Sequence, residues 1–219
     1  MNWVRTLEIR PGVTAIIGGG GKTSLLRTLG EELVKAGYKV LLCTTTKIFP
    51  FDGLPCVTET GTDALLAARA QGGLICAGTL LDSGKLTAPA APMTQLEALF
   101  DYVLVEADGS AHLPLKAHAP HEPVIPAEAA QTICVVGASG FGKPIREAAH
   151  RPELYARLAG AAETDLVTPG LAAAVLTAEK LHSRVLVNQA ELAVSEAKEL
   201  AGLLDCPAVA GSLKLGKIF

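Results

Sequence analysis

The chain has 219 residues, of which 49% are hydrophobic and 19% charged, and its formal net charge is −3. That length supports a sizeable core and one domain over 1–219, and the weakly acidic balance excludes the basic profile of a general nucleic-acid or membrane-surface binder. Any phosphate ligand has to be held locally.

The opening stretch MNWVRTLEIRPGV lacks the apolar core of a signal peptide, and no run approaches the ~18 apolar residues that span a bilayer, so a cytoplasmic protein with no membrane contact is expected. The five cysteines are odd in number and never form a CxxC pair. Cys43, Cys76 and Cys134 lie in strand-like runs and read as small buried hydrophobes in a reducing compartment, without a zinc site.

Short Val-, Ile- and Leu-rich runs predict strands over 12–17, 38–44, 74–78, 102–107, 132–137, 184–188 and 207–211. Helical patterns fall between them, over 23–37, 62–72, 94–100, 151–160, 171–178 and 192–204. This alternation predicts an α/β three-layer sandwich around a mostly parallel sheet. Residues 79–93, with their Asp-Ser-Gly, read as a small β-hairpin insertion, and the proline-bearing stretch 109–130 is expected to be a loop rather than a long helix.

The first strand runs into IIGGGGKTSLL. Ile16 occupies the place of the first glycine of G-x-x-x-x-G-K-[ST], so the motif present is the shorter G-x-x-G-K-T from Gly18 to Thr23. Glycines let backbone N–H groups approach phosphate, the helix N-terminus adds positive potential, Lys22 a point charge, and Thr23 a hydroxyl for Mg²⁺. Gly18, Gly19, Gly20, Gly21, Lys22, Thr23 and Ser24 are therefore expected to hold the phosphates of ATP or GTP. A second glycine stretch, Gly137 to Pro144, ends in a proline with neither hydroxyl nor N–H, and is read as a loop without direct phosphate contact.

Mg²⁺ also needs oxygen ligands at a neighbouring strand end, and YVLVEADGS offers Glu106 and Asp108. One can hold the metal and the other orient a nucleophile. TTTK places Thr45 and Thr46 after the second strand as further nucleotide contacts. Asn188 and Glu191 in LVNQAE stand where guanine-binding proteins carry Asn-Lys-x-Asp, with Gln189 in place of lysine and Glu191 in place of aspartate. GSLK over 211–214 resembles the later Ser-Ala-Lys loop of those proteins. Adenine and guanine both remain open.

Together GGGGKTSLL, LLCTTTKI, LVEADGSAHLPLKA, HEPVIP and HRPE resemble the YqeC family, accessory proteins for selenium-dependent molybdenum hydroxylases. The resemblance implies a P-loop NTPase-like fold, a role in maturing the selenium-containing cofactor, and an apo molybdenum hydroxylase or a cofactor-maturation protein as partner; a homodimer is left open. It marks Lys116, His121, Glu122, His150 and Arg151 as site candidates, Arg151 being the stronger candidate in HRPE; Lys116 reads as a charge for phosphate or an anionic substrate, and His118 and His121 as proton shuttles near neutral pH. The short loop also looks like that of the Mur ligases, by analogy only. The chemistry expected is triphosphate hydrolysis or nucleotide-dependent transfer or ligation. The alternative is a nucleotide-gated chaperone that delivers cofactor without catalysis of its own.

Overall fold

The computed structural model describes residues 1–58 and 61–219. In chain order the elements are α1 (Trp3–Thr6), β1 (Gly12–Gly18), α2 (Lys22–Lys35), β2 (Val40–Thr44), β3 (Cys56–Val57), α3 (Thr62–Gln71), β4 (Leu74–Ala77), β5 (Thr79–Leu80), β6 (Leu86–Thr87), α4 (Met93–Leu99), β7 (Tyr102–Glu106), β8 (Leu115–Lys116) and β9 (Ala129–Gly137). There follow α5 (Ile145–Ala148), β10 (Ala149–His150), α6 (Pro152–Ala159), α7 (Pro169–Glu179), β11 (Arg184–Asn188), α8 (Val194–Leu203), β12 (Ala208–Ser212) and β13 (Lys217–Ile218).

The main sheet has the order β13-β12-β11-β9-β1-β7-β2-β4-β3, and every pairing is parallel except β12 with β13. β1 runs near the middle, paired to β7 and β9, which explains its almost unbroken apolar sequence. Its side chains still sort by the period of two. Ile16 joins a core with Leu25, Leu26, Leu29 and Leu33 of α2 and Trp3 of α1. Ala15 and Ile17 face the other way, toward Tyr155 of α6, Val175 and Leu176 of α7 and Leu200 of α8. Val13 lies on that same side with Leu65 of α3 and Leu96 of α4. The result is a three-layer α/β arrangement around a mostly parallel sheet, and the hairpin β5–β6 is the expected insertion.

α2 forms because its leucines recur at helical spacing on one face, and it seats tightly because Gly30 leaves room for Leu74, whose Cδ1 would lie 2.6 Å from an added Cβ. Glu32 of this helix also accepts from the amides of Trp3 and Val4, at 3.0 and 2.9 Å, and so pins α1.

Residues 109–130 contain no long helix; they hold only β8, which pairs with β10, and the first two residues of β9. No helix among the described residues is long and apolar enough to cross a membrane.

Candidate functional site

The carboxyl ends of β1, β2, β7, β9 and β11 open onto one edge of the sheet, where ligands bind in open α/β folds. A cleft of about 730 Å³ lies there, lined by Gly20 to Ser24, Glu106 and Gly109 to His112, with Ser139 and Gln189 to one side and Lys47 to Asp52 and Lys85 to the other.

The glycine loop is wedged in place. An added Cβ would come within 2.3 Å of the Val135 carbonyl at Gly18, 2.6 Å of the Leu113 and Pro114 carbonyls at Gly19, and 2.3 Å of the Gly137 amide at Gly20. Gly18, Gly20 and Gly21 also have φ of 93°, 70° and 115°, in the left-handed range that favours glycine.

The loop's amides divide into two sets. Those of Gly18, Gly19 and Gly20 are already bound, to Asp108 Oδ2 at 2.8 Å, Val135 O at 2.9 Å and Leu113 O at 3.2 Å. They hold the loop's shape, a correction to the expectation that they cradle phosphate. The next four amides, of Gly21, Lys22, Thr23 and Ser24, have no hydrogen-bond partner among the described residues and sit at the N-terminus of a 14-residue helix. Main-chain donors here converge with positive helix potential, which is what an anion site requires.

Lys22 is buried; its Nζ donates to Gly18 O at 2.7 Å and lies 3.1 Å from Asp108 Oδ1 and 3.9 Å from Glu106 Oε1. Thr23 donates its hydroxyl to Glu106 Oε2 at 2.9 Å. Burial raises the Glu106 pKa above its usual value, against the pull of Lys22 and Thr23. The edge of the cleft therefore carries a carboxylate with too little positive charge around it and a hydroxyl beside it, a pair suited to Mg²⁺.

Asp108, expected to share the metal, faces away from the cleft. It is fully buried, and its Oδ2 meets Gly18 N, His118 Nε2 at 2.6 Å and Lys116 Nζ at 3.5 Å. Its Oδ1 has only the ion contact to Lys22, outside hydrogen-bonding angles. Burial opposes its ionisation, but the His118 bond and the Lys22 and Lys116 charges prevail and lower its pKa. Asp108 is a clamp on the loop, not a metal ligand.

A chain of ions continues behind the loop. His118 bonds Glu179 through Nδ1 at 2.8 Å, and burial, which would lower its pKa, is overcome by the bonds to Asp108 and Glu179, so the value is raised. Lys116 donates to Glu122 Oε2 at 2.8 Å and to the Gly109 carbonyl, and Arg151 donates to Glu122 Oε1 at 2.6 Å. Glu122 is pulled down to about 2, burial being outweighed by Arg151 and Lys116. His121 is exposed and touches Arg151 at 3.4 Å. His150 is shifted down, by burial and then by Lys116 and Arg151. Lys116, His121 and Arg151 thus gather with Glu122, but none of them lines the cleft.

Thr45 and Thr46 do not line the cleft either. Thr45 donates its hydroxyl to Val124 O at 2.6 Å, and the Thr46 hydroxyl lies 3.2 Å from that of Thr44. Asn188 donates to Gly20 O at 2.8 Å and accepts from Leu213 N at 3.0 Å, so it ties the glycine loop to the 211–214 turn. Glu191 is absent from the lining, and its Oε2 is buried without a partner. Gln189 lines the cleft in its place and accepts from Ser139 Oγ at 2.6 Å.

The glycine stretch at 137–144 has its own bonds. The amides of Gly137, Phe141, Gly142 and Lys143 donate to the carbonyls of Pro114, Ala138, Val167 and Gly140.

Cys43, Cys76 and Cys134 are buried, and burial pushes the Cys43 thiol up to about 12 and raises that of Cys134, which lies against Gly18, so these cysteines are packing groups and not thiolates.

Missed from sequence were Arg27, Phe49, Phe51, Lys85, Ser139 and Glu179. Glu179 lies 61 residues from His118 along the chain and had no motif to mark it. Lys47, the lysine that closes TTTK, does line the cleft.

Residues 14–153 match the family described as YqeC protein. The "Uncharacterized protein YqeC" of Escherichia coli (strain K12) is 35% identical over 158 residues, which are 69% of this chain and 62% of that protein; the chain therefore spans less than two thirds of that relative's length. Among solved structures, the hydrogenase maturation factor HypB from Archaeoglobus fulgidus aligns over 94% of this chain and 83% of its own at 12% identity, with a TM-score of 0.44, a likeness too loose to bear on activity. The matched segment holds the glycine loop, Glu106, the Asp108 clamp and Arg151, and on it the chain belongs to the YqeC family.

Proposed function

We propose that the protein binds a Mg²⁺-nucleoside triphosphate and acts on its terminal phosphoryl group. The observation that carries this is the run of four unspent amides, Gly21 to Ser24, at a helix N-terminus beside Lys22. In this reading the amides bind phosphate oxygens, and Lys22 leaves Asp108 to neutralise them while Lys116 and His118 remain to hold Asp108. Thr23 and Glu106 would hold Mg²⁺, which would supply positive charge to the phosphate oxygens. The protein's own contribution is then positional and electrostatic.

Asn188 positions the glycine loop against the 211–214 turn. The family resemblance supports a role for this activity in the maturation of a selenium-dependent molybdenum hydroxylase, with the apoenzyme or a maturation protein as the proposed partner.

The test is calorimetry with ATP, GTP and ADP, with and without Mg²⁺, followed by phosphate release. Tight Mg²⁺-dependent binding with release by the purified protein supports the enzyme. Binding with release only when an apo-hydroxylase is added supports the nucleotide-gated chaperone. No triphosphate binding overturns both.

A further inference from the structure

The cleft extends past Thr23 and Glu106 toward β2, and that arm is built by two segments locked together. The amide of Ile48 donates to Leu86 O at 3.0 Å and that of Leu86 to Ile48 O at 2.7 Å, an isolated antiparallel bridge between the chain after β2 and the inserted hairpin. Ile48 and Leu86 are buried in the core on the α2 face. Their neighbours Lys47, Phe49 and Lys85 line the cleft beside Ile48. Lys85 Nζ stands 4.9 Å from the centre of the Phe49 ring, and that ring is 61% exposed.

The charges of this arm are unbalanced. Lys22 and Lys116 have carboxylate partners, whereas neither Lys47 nor Lys85 is ion-paired among the described residues. Arg27 is paired only along its own helix, to Glu31, and the wall carries one acid, Asp52, against three cations. Two uncompensated ammonium groups, that of Lys85 over an exposed aromatic ring and both inside one cleft, form a receptor for an anion with an apolar or planar part.

We infer that this arm is the site of a second small-molecule substrate carrying a phosphate or carboxylate, held by Lys47 and Lys85 with its remaining body against Phe49. The inference rests on the nucleotide reading above: with phosphates over Gly21 to Ser24, a molecule in this arm lies beside the terminal phosphate and beyond Thr23 and Glu106. It also gives the inserted hairpin a task, since β5–β6 supplies Lys85.

The test uses ¹⁵N-labelled protein saturated with Mg²⁺ and a non-hydrolysable ATP or GTP analogue, titrated with inorganic phosphate and separately with acetate at constant ionic strength. Saturable amide shifts over 47–52 and 84–87 are expected, with midpoints on the order of millimolar for the better anion, the two arms telling phosphate from carboxylate. The double variant Lys47→Ala/Lys85→Ala weakens them about fivefold while nucleotide affinity stays within about twofold. No saturable shift, or an unchanged midpoint in the variant, overturns the inference. Loss of nucleotide affinity in the variant also overturns it, by giving the arm to the nucleotide. If the wild type binds no nucleotide, the parent reading fails instead, and the same titration of the free protein still decides whether the arm takes anions.

Discussion

Lys22 Nζ and Asp108 Oδ1 lie 3.1 Å apart in a place closed to water, with Lys116 and His118 on the far side of the same carboxylate. The lysine expected to meet phosphate is stored against an acid that has two other cations in reserve.

Lys22→Ala is therefore expected to fold, because Asp108 keeps Lys116 and His118, and to lose nucleotide affinity by a factor of about ten or more, the weight of one charge-assisted contact. Calorimetry beside a thermal melt reads both. A large fall in melting temperature with affinity retained would reverse the roles assigned here.

Asp108→Asn is expected to do the opposite in stability. It leaves the buried Lys22 with only Glu106 at 3.9 Å for a counter-charge, while Lys116 keeps Glu122, and is expected to cost about 3 to 5 kcal/mol, read from urea unfolding. Glu106→Gln mimics the protonated form that burial already favours, so stability stays near wild type while the Mg²⁺-dependent part of nucleotide binding disappears. The contrast separates clamp from metal ligand.

The pH dependence of stability follows from His118. Its folded pKa is raised above 6.5, so its contribution is complete below about pH 6.5 and lost as pH rises through the folded value. His150 and His182, both lowered, pull the other way, so the readout is the difference between wild type and His118→Gln: the variant loses the part of the decline above pH 6.5 that His118 causes. Glu122 is held at about 2 from an ordinary 4.5, so its contribution is present above 4.5 and is lost as pH falls through about 2.

Gly20→Ala and Gly37→Ala separate contact from conformation. Both residues have positive φ, 70° and 92°, but an added Cβ meets the Gly137 amide at 2.3 Å in the first and nothing within 4 Å in the second. Gly37→Ala is expected to cost about 1 kcal/mol, and Gly20→Ala at least about 2 kcal/mol more together with nucleotide binding. Equal losses in denaturant melts would show that backbone strain alone decides.

The strands and helices around β1 were legible because their apolar runs and leucine spacings are local signals. The four amides of Gly21 to Ser24 were half legible: the motif announces a phosphate loop, yet which N–H groups are free depends on Val135 and Leu113, more than 90 residues away. Asp108 misled for the same reason. Next to Glu106 in a strand-end motif it reads as a metal ligand, and only the packing of His118, Lys116 and Gly18 turns it inward. Lys85 carried no signal, since its place in the cleft is set by one bridge between Ile48 and Leu86.

The wedging of Gly18, Gly19 and Gly20 against backbone on both sides has one more result. A mobile loop surrenders conformational entropy when its ligand arrives, whereas this one has surrendered it during folding. Capture of an anion is then limited by diffusion and desolvation rather than by loop closure, and the heat released on binding reflects the new contacts and the exchange of Lys22 away from Asp108, with no share for ordering the loop.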